Sequence, residues 1–366
     1  MGSSKIHDLS QLTLIIPTYN RQNYVARQIA YLSNWNVTTL IMDGSEKDLS
    51  IEIRDTLALY PHIQYQNIKE SYVNRVSIAA SRVKTPYVAC LADDDTYLPT
   101  GLLEAIDILQ KNPTSVTCMG LAVGTDQICR KTYSFKYGTN LRNYTIEGNN
   151  FVDRVIGGMQ NYRPATPYAV YRSEVFRKIW IPRTTISCLE AVEYENAIRT
   201  YFYGNQLVTK SIYWLRSFET QPIASQIDGD RSLTFSDWYT SASFKNEVHE
   251  YGERIVRLFV EKGAISLNES LDLYQSVITS ILENSHATLA EISYIERKYL
   301  WLYGKVSGSS ISLRVRKSKV WRFRIKPVVL FFLRKKSFLT LKNSNSKEYE
   351  LLKALKFLSK YRLTAL

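Results

Sequence analysis

The sequence predicts an α/β protein: a mostly parallel sheet with helices on both faces, followed by a helical region. Two observations carry this. Apolar runs of strand length alternate with segments of helical period through the first 123 residues, joined by short links. Three of those runs end in polar clusters, Thr18-Tyr19-Asn20-Arg21, Asp43-Gly44-Ser45 and Asp93-Asp94-Asp95. Ligands of parallel sheets bind at such carboxyl ends, so the three clusters are expected to meet at one edge.

Leu12-Thr-Leu-Ile-Ile-Pro17 is nearly continuous in apolar residues, as a strand buried on both faces requires. The spacing of Tyr24, Ile29 and Leu32 predicts a helix over 23–33. Residues 38–42 form the second strand, and Asp48 is a candidate cap for a helix over 49–60. A brief third strand covers 63–66. Ser71 is a candidate N-cap for a helix over 72–84, and Tyr87–Ala92 is a fourth strand running into the acidic triplet. A helix over 100–111 and a strand over 115–123 complete this half. Residues 124–235 are less regular, with strands over 166–171 and 208–215, a short helix capped by Ser173, and a helix over 189–203. From 236 the pattern turns helical, over 244–262, 268–284 and 286–303, with Asn268 and Ser285 as candidate caps.

The 366 residues allow two domains, or one large domain with an appendage. The net charge of +13 is unevenly spread. Residues 305–366 hold 17 Lys and Arg against two acids, which leaves 30 basic and 32 acidic residues in 1–304. A basic whole chain suggests nucleic acid as partner, but the near-neutral body excludes that reading for the folded part. Cys90, Cys118, Cys129 and Cys188 show no CxxC pair and read as free thiols. Residues 1–11 are polar, so no signal peptide is expected, and no run reaches the length of a membrane-spanning helix. A cytoplasmic location is the default expectation.

Three consecutive carboxylates after an apolar strand repel one another and call for a counter-charge. A hard divalent cation such as Mg²⁺ or Mn²⁺ supplies one, because it prefers oxygen ligands. The alternative is a solvated acidic turn before the helix over 100–111. Asp43 can accept from a nucleobase N–H or a ribose hydroxyl, or simply start a turn with Gly44. Pro17, Thr18 and Tyr19 offer a turn, hydroxyls and a flat ring, and Arg21 offers a phosphate partner or a surface charge. A nucleotidyltransferase would need a Gly-rich phosphate loop here, and residues 17–21 contain no glycine. His249 and His286 lie in helical segments and read as structural.

Residues 12–21, Met42-Asp-Gly-Ser45 and 87–99 together resemble the GT-A glycosyltransferases of the family-2 type, in order and in spacing. The resemblance is specific over 12–111, looser to about 235, and does not cover 236–366. It implies a GT-A catalytic domain over 1–235, with a donor half at about 12–123 and an acceptor half at about 124–235. A helical region over 236–304 and a basic amphipathic tail over 305–366 follow. It further implies that the first two strand ends hold the nucleotide of a nucleotide-sugar donor. The triplet would then be the DXD metal site, with Asp95 as the direct ligand and Asp93 or Asp94 toward ribose or a bridging water. Val192-Glu-Tyr-Glu-Asn-Ala-Ile-Arg199 fits the family's acidic helix and gives Glu193 the place of the base, with Glu190 and Glu195 as neighbours one slip away. Arg231, and less directly Arg163, fit a basic loop over the donor phosphates.

The implied activity is metal-dependent, inverting transfer of a sugar to a hydroxyl of a growing cell-surface glycan. The other reading is a non-catalytic nucleotide- or glycan-binding module, which the intact triplet and Glu193 disfavour. In the tail, Arg314 to Lys326 interleave with Val320, Trp321 and Phe323, and an apolar run over 328–333 precedes Arg334-Lys335-Lys336. Residues 311–336 are therefore expected to lie on an anionic membrane surface at the inner face, each basic residue contributing on the order of 1 kcal/mol. A lipid-linked glycan acceptor would suit that location. The alternatives are a tail that is solvated or packed on the body, and nucleic-acid binding, which the expectation does not include.

Overall fold

The computed structural model describes residues 7–126, 131–133, 141–182, 186–217, 233–263 and 265–283, together with positions 350, 351, 354, 355, 357 and 358. The predicted helix over 286–303, His286, Arg231, Cys129 and residues 311–336 lie outside the described residues.

Strand β1 (His7–Thr18) is flanked by β2 (Trp35–Asp43) and β4 (Tyr87–Cys90), and β2 by β3 (Ile63–Asn67), all parallel. Leu12 to Thr18 are buried because helices cover both faces. Helices α1 (Gln22–Leu32), α2 (Ile51–Ala58) and α3 (Tyr72–Arg82) are the crossovers. The Ser71 hydroxyl caps α3 by accepting from the Asn74 N–H at 3.3 Å. Asp48 does not cap α2: Ser50 stands at its N-cap, and the Asp48 carboxylate binds Leu49 N–H and Arg54 instead.

Beyond β4 the sheet is mixed. β5 (Thr96–Tyr97), β6 (Ser115–Asp126), β7 (Lys131–Tyr133), β8 (Val170–Arg172) and β9 (Asn205–Ser217) extend it to the order β3-β2-β1-β4-β8-β6-β9-β5, with β7 on β6. The sheet is thus parallel in the half that carries the three polar strand ends. The expected strand over 166–171 is a 3₁₀ turn at 166–168 followed by the short β8, which runs antiparallel to β4 and β6.

Helix α4 (Pro99–Lys111) lies against β6 and β9. Helices α5 (Phe151–Gln160), α6 (Ser173–Ile179) and α7 (Leu189–Tyr203) cover the second half, and α8 (Phe235–Thr240), α9 (Lys245–Gly263) and α10 (267–283) follow. The pattern in 124–165 does not reveal α5, because Gly157 and Gly158 interrupt its period. The cap of α10 is Ser266 rather than Asn268. Ser266 Oγ accepts from Glu269 N–H while Glu269 accepts from Ser266 N–H, a reciprocal box.

The chain returns to the body at its C-terminal end. Leu351, Ala354 and Leu358 share one helical face and pack on Leu98, Val123 and Leu215. Part of the predicted tail is therefore seated on the fold.

Gly101 sets the approach of α4 to β9. A Cβ there would overlap Tyr213 Cβ and stand 2.7 Å from Ile212 O and Tyr213 Cα. Alanine in a helix ordinarily gains about 0.5–1 kcal/mol over glycine. Here overpacking of about 1–3 kcal/mol wins, so Gly101→Ala is expected to lower the midpoint of chemical denaturation.

Candidate active site

The parallel register puts Thr18, Asp43 and Asn67 side by side at the ends of β1, β2 and β3. Asp43 is buried. Its Oδ1 accepts from the N–H and hydroxyl of Ser45, and its Oδ2 from the Tyr65 hydroxyl at 2.8 Å. The Ser45 hydroxyl also accepts from Asn20 N–H at 2.6 Å, which ties the loop after β1 to the loop after β2. Asn20 sits at φ 54°, the left-handed region that asparagine tolerates better than most residues. Pro17 is buried and Tyr19 half-buried beside this loop.

Arg75, from α3, lies across the same strand ends. It is 3% exposed, and its guanidinium occupies the space a side chain at position 44 would need. One of its N–H groups bonds the Glu70 carbonyl at 2.7 Å, while Nε is buried with no protein hydrogen-bond partner. Asn67 Oδ1 is in the same condition. Buried polar atoms are rarely left so, and a ligand that both donates and accepts would satisfy the pair. Neither residue is evident in the sequence. Asn67 ends a strand that lacks a polar cluster, and Arg75 is one arginine among many on helices.

The acidic triplet follows β4. Asp93 is fully buried, and its carboxylate accepts from the Thr18 hydroxyl at 2.6 Å and from Arg21 at 2.9 Å. The same Arg21 nitrogen reaches Asp94 at 3.1 Å. Thr18 and Arg21 thus brace the triplet. From the buried face of α1, Gln28 donates to the carbonyls of Asp93 and Asp95, and Arg27 to that of Asp94. Asp95 accepts from Trp214 Nε1 at 2.8 Å and from Ser217 N–H at 2.7 Å. Burial raises the Asp93 carboxyl to about 6, against the opposing pull of Arg21. It raises Asp95 to about 8, with the Asp94 charge adding to the shift.

The donor set is all oxygen, as Mg²⁺ and Mn²⁺ prefer, and two of its carboxyls are held above their usual range by desolvation and mutual repulsion. Among the described residues no three acidic, His or Cys side chains form a closed cage. A cation leaning on one or two carboxylates and on substrate phosphates fits this arrangement.

Glu193 is half-buried on α7. Burial, and then the charge of Glu190, push its carboxyl up to about 7, while Arg216 pulls the other way. Arg216 also acts on Asp95, and Tyr168 feels both Asp95 and Glu193. Tyr168 stacks on Trp214 at 4.6 Å, the ring that holds Asp95. Arg216 and Tyr168 are therefore within electrostatic reach of both Glu193 and Asp95. The other two glutamates are engaged elsewhere. Glu195 is fully buried in ion pairs with Arg199 at 2.9 Å and Arg254 at 3.2 Å, and Glu190 accepts from Phe235 N–H at the start of α8. Arg163 is half-buried before the 3₁₀ turn, where its own N–H donates to the Tyr144 hydroxyl.

The fold is GT-A-like, a mixed α/β sheet with flanking helices. Residues 13–180 match the family model described as Glycosyl transferase family 2. That match, over a little under half of the chain, is to a glycosyltransferase domain. Among solved structures it is similar to S. aureus TarS 1-349 in complex with UDP-GlcNAc, at 11% identity and a TM-score of 0.50, over 74% of this chain and 72% of that one. S. aureus TarS 1-349 also matches, at 13% identity and a TM-score of 0.44, over 75% and 82%. The first likeness is one of fold. No curated protein matches the chain.

The two glutamates of α7 are expected to differ in what they do for stability. Removing one partner of a buried ion pair typically costs about 3–5 kcal/mol, so Glu195→Ala is expected to lose that order of stability. Glu193 has its folded value near 7 against an ordinary 4.5. Its unfolded form ionises first as pH rises, so it destabilises the fold progressively between those values. Glu193→Gln should therefore match the parent at pH 4 and exceed it at pH 8, by up to about 3 kcal/mol. Denaturant titration at the two pH values checks both variants.

Proposed function

We propose that the protein transfers a sugar from a nucleotide-diphosphate sugar to a hydroxyl of a glycan acceptor, with inversion. The observation that carries this is that Arg216 and Tyr168 lie within electrostatic reach of both the acidic triplet and Glu193. In this reading Asp43, Asn67 and Arg75 receive the nucleobase, with Pro17, Thr18 and Tyr19 forming the wall beside it. Asp94 takes the ribose or water role, since the Asp93 carboxylate is engaged by Thr18 and Arg21. A UDP-linked sugar is the first donor to test, because the TarS structure of the same fold holds UDP-GlcNAc.

Asp95 would hold Mn²⁺ or Mg²⁺ through the lone pairs that Trp214 and Ser217 leave. The ion would offset charge on the departing diphosphate. Arg231 is assigned to the donor phosphates. Glu193 takes the proton of the acceptor hydroxyl as its oxygen bonds C1 of the sugar, and the C1–phosphate bond breaks on the opposite face. A carboxyl with a pKa near 7 suits this work, because it is ionised yet basic at neutral pH.

The domain division read from the sequence, at 235 and 304, belongs to this proposal, as does a membrane-side acceptor reached through residues 311–336. Among the described residues no helix is long and apolar enough to cross a membrane.

Glu193→Gln is expected to abolish turnover while metal-dependent nucleotide binding, read by thermal shift, persists. In the parent, kcat/KM should fall about tenfold per pH unit below pH 7, as the base protonates. A variant that keeps near-normal turnover refutes the assignment. Removing 311–336 alone should spare transfer to a soluble acceptor analogue and reduce co-sedimentation with phosphatidylserine vesicles. Equal sedimentation would return that segment to a packing role.

A further inference from the structure

The residues that grip Asp95 come from the edge of the sheet. β5 has two residues, and among the described residues its ladder is to β9, with Thr96 opposite Leu215 and Tyr97 opposite Trp214. Trp214 faces Tyr168 and Asp95. Strand alternation puts Leu215 on the opposite side, and there it joins Val123 of β6, its register partner, and Leu98 just after β5. These three form an apolar surface directly behind the Asp95 clamp. It is covered from far along the chain by Leu351, Ala354 and Leu358, which are themselves 3–5% exposed.

Two further contacts fix that cover. The Glu350 carboxylate accepts from Thr100 N–H at 3.2 Å, at the start of α4, whose N-cap Leu98 has no side chain to do so. Phe357 packs on Tyr31 with ring centroids 5.0 Å apart, and the Tyr31 hydroxyl donates to the Tyr97 carbonyl of β5 at 2.9 Å. These C-terminal residues thus bear on both neighbours of the clamp, the residues after β5 and the end of β9.

From these contacts we infer that Glu350, Leu351, Ala354, Phe357 and Leu358 are positioning residues of the active site: they hold the β5–β9 edge so that Trp214 and Ser217 keep Asp95 aimed at the donor diphosphate. The inference rests on the metal role proposed for the triplet. A partner that orients a metal ligand typically contributes about 10–100-fold to metal affinity.

The test compares the full chain with a form ending at residue 344, and with that form plus a synthetic peptide of residues 345–366. Two quantities are read: Mn²⁺-dependent UDP binding by calorimetry, and hydrogen exchange of the Ser217 amide, which donates to Asp95. The truncated form is expected to exchange Ser217 faster and to need at least about tenfold more Mn²⁺ for UDP binding, with both effects reversed by the peptide. Where the truncated form fails to fold, Glu350→Gln and Leu358→Ala in the full chain are read the same way. Unchanged Ser217 exchange and Mn²⁺ requirement in the truncated form, or in the two point variants, overturns the inference. Absence of UDP binding in the full chain would refute the donor reading instead, and Ser217 exchange would still report on the segment.

Discussion

Three adjacent carboxylates at the buried end of a central strand are the constraint around which this molecule is arranged. Desolvation drives Asp93 and Asp95 toward protonation. Asp93 is kept in place by a hydroxyl and a guanidinium from the loop after β1, and Asp95 by an indole N–H and an amide from β9. The backbone between them is fixed from α1 by Gln28 and Arg27, polar side chains buried to 1% and 2% so that their amide and guanidinium reach three successive carbonyls. The end of β1 and the loop after it, α1 and β9 each direct polar groups at the triplet. A structure with no use for this cluster would gain by replacing it with apolar residues, since buried ionic groups are weak contributors to stability.

The same logic runs through α7. Glu193 and Glu195 are two residues apart, yet their environments set opposite roles. Glu195 meets two arginines in the interior and ties α7 to α9, so its charge is compensated. Glu193 is desolvated beside the like charge of Glu190, and Arg216 offsets this in part, so its carboxyl is pushed up to about 7. A carboxyl held well above its ordinary range by desolvation is a mark of a group held for chemistry rather than for cohesion.

Much of this was legible in the sequence where the signal is local. Apolar runs at strand length, the Ser71 cap and the acidic triplet depend on neighbours a few residues apart, and the structure finds them where the pattern puts them. Thr18 and Arg21 were legible as site residues, but their use as braces was not, because it needs the register of β1 against β4. Trp214 and Ser217 meet Asp95 across 119 and 122 residues of chain, beyond any periodicity. Arg75 and Asn67 escaped for another reason. They are single polar residues whose importance is only visible as buried atoms without partners.

The far end of the chain joins the same arrangement. Leu351, Ala354 and Leu358 close an apolar surface made by Leu98, Val123 and Leu215. Leu215 follows Trp214 in β9, and Trp214 holds Asp95. Apolar burial on one face of that strand and polar restraint on the other therefore act on one stretch of backbone, because successive side chains of a strand point to opposite faces. The packing that covers the first fixes the strand that carries the second, so cohesion and site geometry are not separable at this edge of the sheet.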